Sequence, residues 1–265
     1  MDFFKIPDDE QFNPIKTILI SQPLPQEPVK SAYATLEKKY GIKIDFRSFI
    51  KVEPVTVREF RKEHINPLDF SGIIISSKHS AENYFRILEE MRLKPSDETK
   101  FFCSSEQVAY YLQRHIQFRK RKIFFPNKEE NEDIKTLLLK YKKKENFLVP
   151  CSNLGLKEVT DFLKLKEFKY HVSTMYNTVS ADLSDLADIK YDMIVFFSPQ
   201  GPDSLFENFS DFVQANTRIG AYGKSTVLHA QQLNLKVNLP APLEGASSIT
   251  AAIEIYLKQS NKGLT

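Results

Sequence analysis

The chain has very little cysteine, with only Cys103 and Cys151 among 265 residues. No disulfide framework can be built from that, and a reducing cytoplasm is the simplest setting. Long apolar runs are missing too; none approaches the ~18 residues that span a membrane. The first stretch, MDFFKIPDDEQFNP, lacks the apolar core of a signal peptide and carries acids early, so it reads as a polar extension. Neither sign of charge is in excess: 37 Lys+Arg stand against 34 Asp+Glu, a net charge of +3. That balance argues against a dedicated nucleic-acid binder and leaves room for an anionic ligand. Glycine is scarce at eight residues, and neither GxxxxGK[ST] nor GxGxxG occurs. The nucleotide P-loop and the dinucleotide fingerprint are thereby excluded. No G-x-S-x-G nucleophile elbow appears, and no His/Cys/Asp/Glu spacing suits a metal. His64, His79, His115, His171 and His229 stand alone in the sequence and read as surface or capping residues. An enzyme made of this chain would work without cofactor, metal or covalent catalysis.

What is present is alternation. KTILISQP, SGIIISS, KFFCSS, KIFFP, NFLVPCS, DMIVFFS, RIGAYG and KVNLP are short apolar runs closed by turns, as buried strands are. Between them lie stretches with helical spacing, among them AENYFRILEEMR, EQVAYYLQRH, GLKEVTDFLKLK, STVLHAQQLN and SITAAIEIYLKQ. The helix in EPVKSAYATLEKKYG stops at Gly41. Strands alternating with helices of ~10–15 residues predict βα units on parallel sheets, an α/β fold. The basic run Arg119, Lys120, Arg121, Lys122 reads as a solvated connection before a strand, for it has no aromatic interleaving. The run KYKKKE, Lys140 to Glu145, reads as the cationic end of a helix whose start, NKEENED, is acidic.

The two halves resemble each other. DFSGIIISSKHSAENYF matches YDMIVFFSPQGPDSLFENF, and FFCSSEQVAYYL matches IGAYGKSTVLHAQ. Ser77 pairs with Ser198 and Val108 with Thr226, at nearly equal offsets. Such regularity predicts an internal duplication and two similar lobes. The extended stretches FRSFIKVEPV and HVSTMYNTVS each follow the first βα unit of their half. We expect one lobe from residues 14–47 and 179–260, a second from 53–172, and a two-stranded hinge from 48–52 and 173–178.

Ligands of parallel α/β sheets bind where strands end and helices begin, because free N–H groups and the positive helix end favour anions. A serine or threonine there caps the helix and adds a hydroxyl donor. Four such turns occur, at Ser76–Ser77, Ser104–Ser105, Ser198 and Ser225–Thr226. Each taken singly is an ordinary helix cap. Four at equivalent positions of a duplicated frame point to a shared anionic ligand.

The segments YDMIVFFSPQGPDSLF, RIGAYGKSTVLHAQQLNLKV followed by PAP, and MYNT resemble the uroporphyrinogen-III synthase family. The resemblance extends from about Ile15 to Leu257. It implies two flavodoxin-like lobes and a cofactor-free lyase of haem biosynthesis, monomeric, cytoplasmic and independent of membrane and nucleic acid. Its substrate would be hydroxymethylbilane, a linear tetrapyrrole with eight carboxylates, which loses water and closes with inversion of its last ring. The family's tyrosine falls on Tyr176, where a phenol could protonate or hold the departing hydroxyl. Its substrate-binding turns fall on Ser77, Ser105, Ser198 and Gly223, with Ser225 and Thr226. The chain departs from the family's pattern where SEQVA places Ser105 for Gly and Val108 for Thr. It departs again at Gln22 in SQP and in CSNLG, both places where many relatives have Arg. Two alternatives follow: a relative that only binds a tetrapyrrole or other polycarboxylate, and a two-lobed solute receptor, against which the lack of a signal peptide speaks.

Overall fold

The computed structural model describes residues 3–116, 121–127, 133–187 and 190–262. The chain divides into two units, one of residues 1–51 and 179–265, the other of residues 52–178. The first unit opens with β1 (Thr17–Ile20), α1 (Ala32–Tyr40) and β2 (Lys43–Phe46), and β3 (Ile50–Pro54) leads out of it. The second holds α2 (Val57–Phe60), β4 (Gly72–Ile75), α3 (Lys78–Glu90), β5 (Lys100–Cys103), α4 (Glu106–Leu112) and β6 (Ile123–Phe124). It continues with α5 (Ile134–Leu139), β7 (Phe147–Ser152) and α6 (Lys157–Leu165), and β8 (Tyr170–Ser180) leads back. The first unit then closes with β9 (Met193–Phe196), α7 (Gln200–Asn208), β10 (Arg218–Tyr222), α8 (Lys224–Gln232), β11 (Val237–Ala241) and α9 (Ile249–Ser260).

The first unit carries a parallel sheet in the order β2-β1-β9-β10-β11. In the second the order is β3-β8-β7-β4-β5-β6, with the pairs from β8 to β6 parallel. Counted from β1 in one unit and from β7 in the other, both give the flavodoxin-like order 2-1-3-4-5. The second copy is entered at its third strand, β4, and finished by β7 and β8. The central strands are GIII in β4 and MIVF in β9, buried along their whole length as strands covered on both faces are. Alternate side chains serve opposite faces: Ile73 and Ile75 enter one cluster and Ile74 another. Ile18 and Ile20 divide from Leu19 in the same way.

Helix ends follow the local signals. Ser31 caps α1 by accepting from the Ala34 N–H at 3.2 Å, and Gly41 at φ 61° ends it in the left-handed conformation that glycine adopts freely. Two expectations are corrected. The N-terminal stretch is not a loose polar extension. The Phe4 N–H donates to the Pro242 carbonyl at 2.9 Å, and the Phe12 ring lies 5.1 Å from that of Tyr256. The apolar residues spaced among the acids, Phe4, Ile6 and Phe12, pack on the core of the first unit and hold it there. Nor does the helix in NEDIKTLLLKYKKK run through its lysines. Asp133 caps α5 by accepting from the Thr136 N–H at 2.7 Å, but the helix ends at Leu139. Tyr141 turns inward to lie 5.0 Å from the Phe102 ring and 4.9 Å from that of Phe124, so Lys142, Lys143 and Lys144 follow in turns. The acidic start of that pattern, at residues 128–132, and Arg119 and Lys120 of the basic run lie outside the described residues.

Candidate substrate site

In the second unit the central side chain is Tyr176 on β8, pointing into the core and only 7% exposed. Its backbone is held on both sides. The Asn153 N–H donates to the Tyr176 carbonyl at 3.1 Å, while Asn153 Oδ1 accepts from the Thr178 N–H at 2.8 Å. Arg86 of α3 donates through Nη2 to the Val55 carbonyl at 2.6 Å and to the Met175 carbonyl at 3.4 Å. At the start of α3, Ser77 accepts from the Ser80 N–H at 3.1 Å, the cap its position predicts. Ser80 donates to the Pro150 carbonyl at 2.7 Å and so fastens that helix start to β7.

These anchors bring Ser77 Oγ to 3.5 Å from Tyr176 Oη. Burial pushes the Tyr176 phenol above its usual value, and the Ser77 hydrogen bond offsets only part of that. The group is therefore a neutral O–H at physiological pH, able to donate. Ser105 caps α4 by accepting from the Val108 N–H at 3.4 Å. Its neighbour Ser104 donates to the Ser76 carbonyl at 2.8 Å, which ties the two serine turns together.

Three of the histidines, isolated in the sequence, meet carboxylates in the fold. His79 Nδ1 lies 3.2 Å from Glu82 Oε2, His171 Nε2 lies 3.1 Å from Glu63, and His229 Nε2 lies 2.7 Å from Asp203. The His79 ring also lies 6.3 Å from that of Tyr176. Burial pushes the Glu82 carboxyl up, but hydrogen bonds from Tyr111 and His79 together outweigh it and hold the group below its usual range. The His79–Glu82 pair was legible as an i,i+3 spacing on a helix. The other two pairs join residues far apart in sequence, and no local signal marks them.

In the first unit the turns differ in detail. Ser198 follows β9 but makes no side-chain cap; Pro199 takes the cap position and α7 begins at Gln200. The Ser198 carbonyl accepts from the Gly201 N–H at 3.1 Å. A Cβ at Gly201 would stand 2.7 Å from the Phe196 ring, so only glycine lets α7 approach β9 this closely. Gly223 precedes α8 at φ 91° and ψ 145°, a conformation essentially reserved for glycine. Its N–H donates to the Ala241 carbonyl at 2.8 Å. Ser225 faces solvent, whereas Thr226 is only 1% exposed and lies on the inner face of α8. Because β9 and β10 are neighbours, the Ser198 turn and the Gly223–Thr226 turn lie side by side. Among the described residues no group of three or more His, Cys, Asp or Glu side chains could hold a metal ion.

Both sheets thus present strand–helix turns with N–H groups at their carboxyl edges, the place where such folds take anions. The chain matches the family model for Uroporphyrinogen-III synthase HemD over residues 31–251. The chain belongs to the uroporphyrinogen-III synthase family. Members of that family are lyases of haem biosynthesis acting on a tetrapyrrole. No curated protein matches the chain by sequence. Among solved structures it is similar to the uroporphyrinogen-III synthetase of Helicobacter pylori, with 17% identity and a TM-score of 0.60 over 92% of this chain and 99% of that one. It is also similar to a mutant uroporphyrinogen III synthase of the extremely thermophilic bacterium Thermus thermophilus, with 12% identity and a TM-score of 0.58 over 93% and 99%. At such identities the likeness is one of fold, and the family assignment rests on the sequence model. No helix among the described residues is long and apolar enough to cross a membrane.

Proposed function

We propose that the chain converts hydroxymethylbilane to uroporphyrinogen III with Tyr176 as its proton donor, and that it needs no cofactor. The observation that carries this reading is the Tyr176 phenol, buried, kept protonated, and 3.5 Å from the Ser77 hydroxyl at the start of α3. A phenol in that state can donate to the departing hydroxyl of the substrate as the C–O bond breaks, and water leaves. Ring closure with inversion of the last pyrrole then follows from how the substrate is held. Its carboxylates match N–H groups at helix starts, which favour anions without the cost of ordering long side chains.

In this reading Ser77 and Ser105 in the second unit, and Ser198, Gly223 and Ser225 in the first, contact substrate carboxylates. Thr226 is assigned to the same turn and, from its inward place, would shape it from beneath. The strands β3 and β8 carry the chain between the two units. We place the reaction in the cytoplasm and assign it to a monomer with no nucleic-acid partner. The test is the identity of the product. Supplied with hydroxymethylbilane, the protein should give the type III isomer. Type I alone, the product of unassisted closure, would overturn the reading and leave a tetrapyrrole-binding relative.

A further inference from the structure

The run of lysines after α5 is not accounted for by the helix it follows, because that helix ends at Leu139. Lys142, Lys143 and Lys144 instead line a cavity of about 530 Å³ in the second unit, with Lys169 entering from the turn before β8. The cavity is of the size that holds small ligands. Its walls are fixed by the backbone. The Asn146 N–H donates to Ser71 Oγ at 3.1 Å, the Gly72 N–H to the Asn146 carbonyl at 3.1 Å, and the Phe147 N–H to the Lys169 carbonyl at 2.9 Å. A Cβ at Gly72 would stand 2.9 Å from the Phe147 ring and 3.3 Å from the Glu145 Cβ, so the segments meet without slack.

The charge on this lining is one-sided. Glu145 is already matched by Lys100 at 2.6 Å, its side chain only 3% exposed. Among the described lining residues the four lysines are then opposed by Glu167 alone. Lys142 and Lys144 stand over the Phe168 and Tyr141 rings, each 6.0 Å from the centroid. Lysine clusters held together in this way lower their mutual repulsion by taking up a multiply charged anion. Among the described residues no arginine lines the cavity, so the planar bidentate grip that suits a carboxylate is missing, whereas lysines serve phosphate as point charges.

The cavity also stands apart from the proposed reaction. Ser71, Asn146 and Lys169 lie just before β4, β7 and β8, at the amino edge of the parallel sheet. Ser77 and Tyr176 lie at the carboxyl edge. Along β8 alone, the six steps from Tyr170 to Tyr176 separate the two edges by about 20 Å at ~3.3 Å per residue.

We propose that this cavity is a second, non-catalytic site for a compact oligophosphate anion. The probe is sodium tripolyphosphate, titrated into the full chain at about 0.1 M salt, where exposed charges more than a Debye length apart are screened. Calorimetry should show saturable binding of one equivalent, and amide signals of residues 142–146 and 169 should shift. The double variant Lys143→Glu, Lys169→Glu should weaken binding at least tenfold. Both side chains are exposed, so the fold should survive, which circular dichroism checks. Lys258→Glu, in the first unit, should leave binding unchanged. Equal binding by the double variant and the wild type, or uptake that never saturates, overturns the site and leaves only adventitious attraction of anions. A citrate titration separates phosphate from carboxylate: citrate binding as tight as tripolyphosphate contradicts the assignment to phosphate. None of these readouts depends on turnover.

Discussion

Replacing Tyr176 by phenylalanine removes one oxygen and little else. The ring stays in the cluster that holds Met175, Tyr84 and Ile75. Among the described residues, the only hydrogen bond lost to a side chain is the contact to Ser77, and at 3.5 Å it is long. Its loss should cost under ~1 kcal/mol, the lower part of the range for a hydrogen bond. Thermal unfolding of the variant should therefore resemble that of the wild type. Turnover should not. If the phenol supplies the proton to the leaving hydroxyl, its removal should lower kcat by ~10²-fold or more, the scale of positioned proton transfer. KM should change far less, because binding is assigned to backbone N–H groups that the substitution leaves in place. The wild-type profile should also show no basic limb from this group below the ordinary tyrosine value of 10.0, since burial moves the phenol upward. The assay is the initial rate of type III isomer formation against pH, beside a melting curve for each protein. A Phe variant with full activity refutes the role of Tyr176. A variant that loses activity only in proportion to its loss of folded protein refutes the separation of chemistry from packing.

Glu10→Ala should destabilise the first unit by about 3 kcal/mol, because it strands the Tyr256 hydroxyl and the Asn238 amide, which donate to Glu10 at 2.5 and 2.9 Å. Urea unfolding reads this, and an unchanged midpoint would return the N-terminal stretch to a loose extension. Stability should also fall at high pH. Burial pushes the Cys103 thiol up to about 12 and the Cys151 thiol up to about 11, from 9.0. Thiols raised in this way contribute stability that is complete below pH 9 and is lost as pH climbs through their folded values. Urea midpoints should hold steady from pH 7 to 9 and then drop, and Cys151→Ala should flatten part of the drop. A thiol reagent near neutral pH should leave both cysteines untouched until the chain unfolds; rapid labelling of the native protein would contradict their burial.

The element order of this protein was written in its sequence. Short apolar runs closed by serine turns, alternating with helical spacing, leave a parallel α/β fold as the solution that buries them, and the repeated turn exposed the duplication. Those signals are local: a strand covered on both faces must be apolar throughout, and a helix start needs a cap within three residues. Ser31, Ser77, Ser105 and Gly41 behave as their neighbours in sequence require. Where packing competed with the local signal, the sequence misled. Pro199 displaced Ser198 from its cap position, Tyr141 turned inward and ended α5 ahead of its lysines, and Phe4 and Phe12 drew an acidic stretch onto the core. Only the tertiary structure could bring Ser77 to Tyr176 across 99 residues, or His229 to Asp203 across two helices. Such contacts depend on which strands become neighbours in the sheet. That choice is made by the burial of whole faces, and no single segment records it.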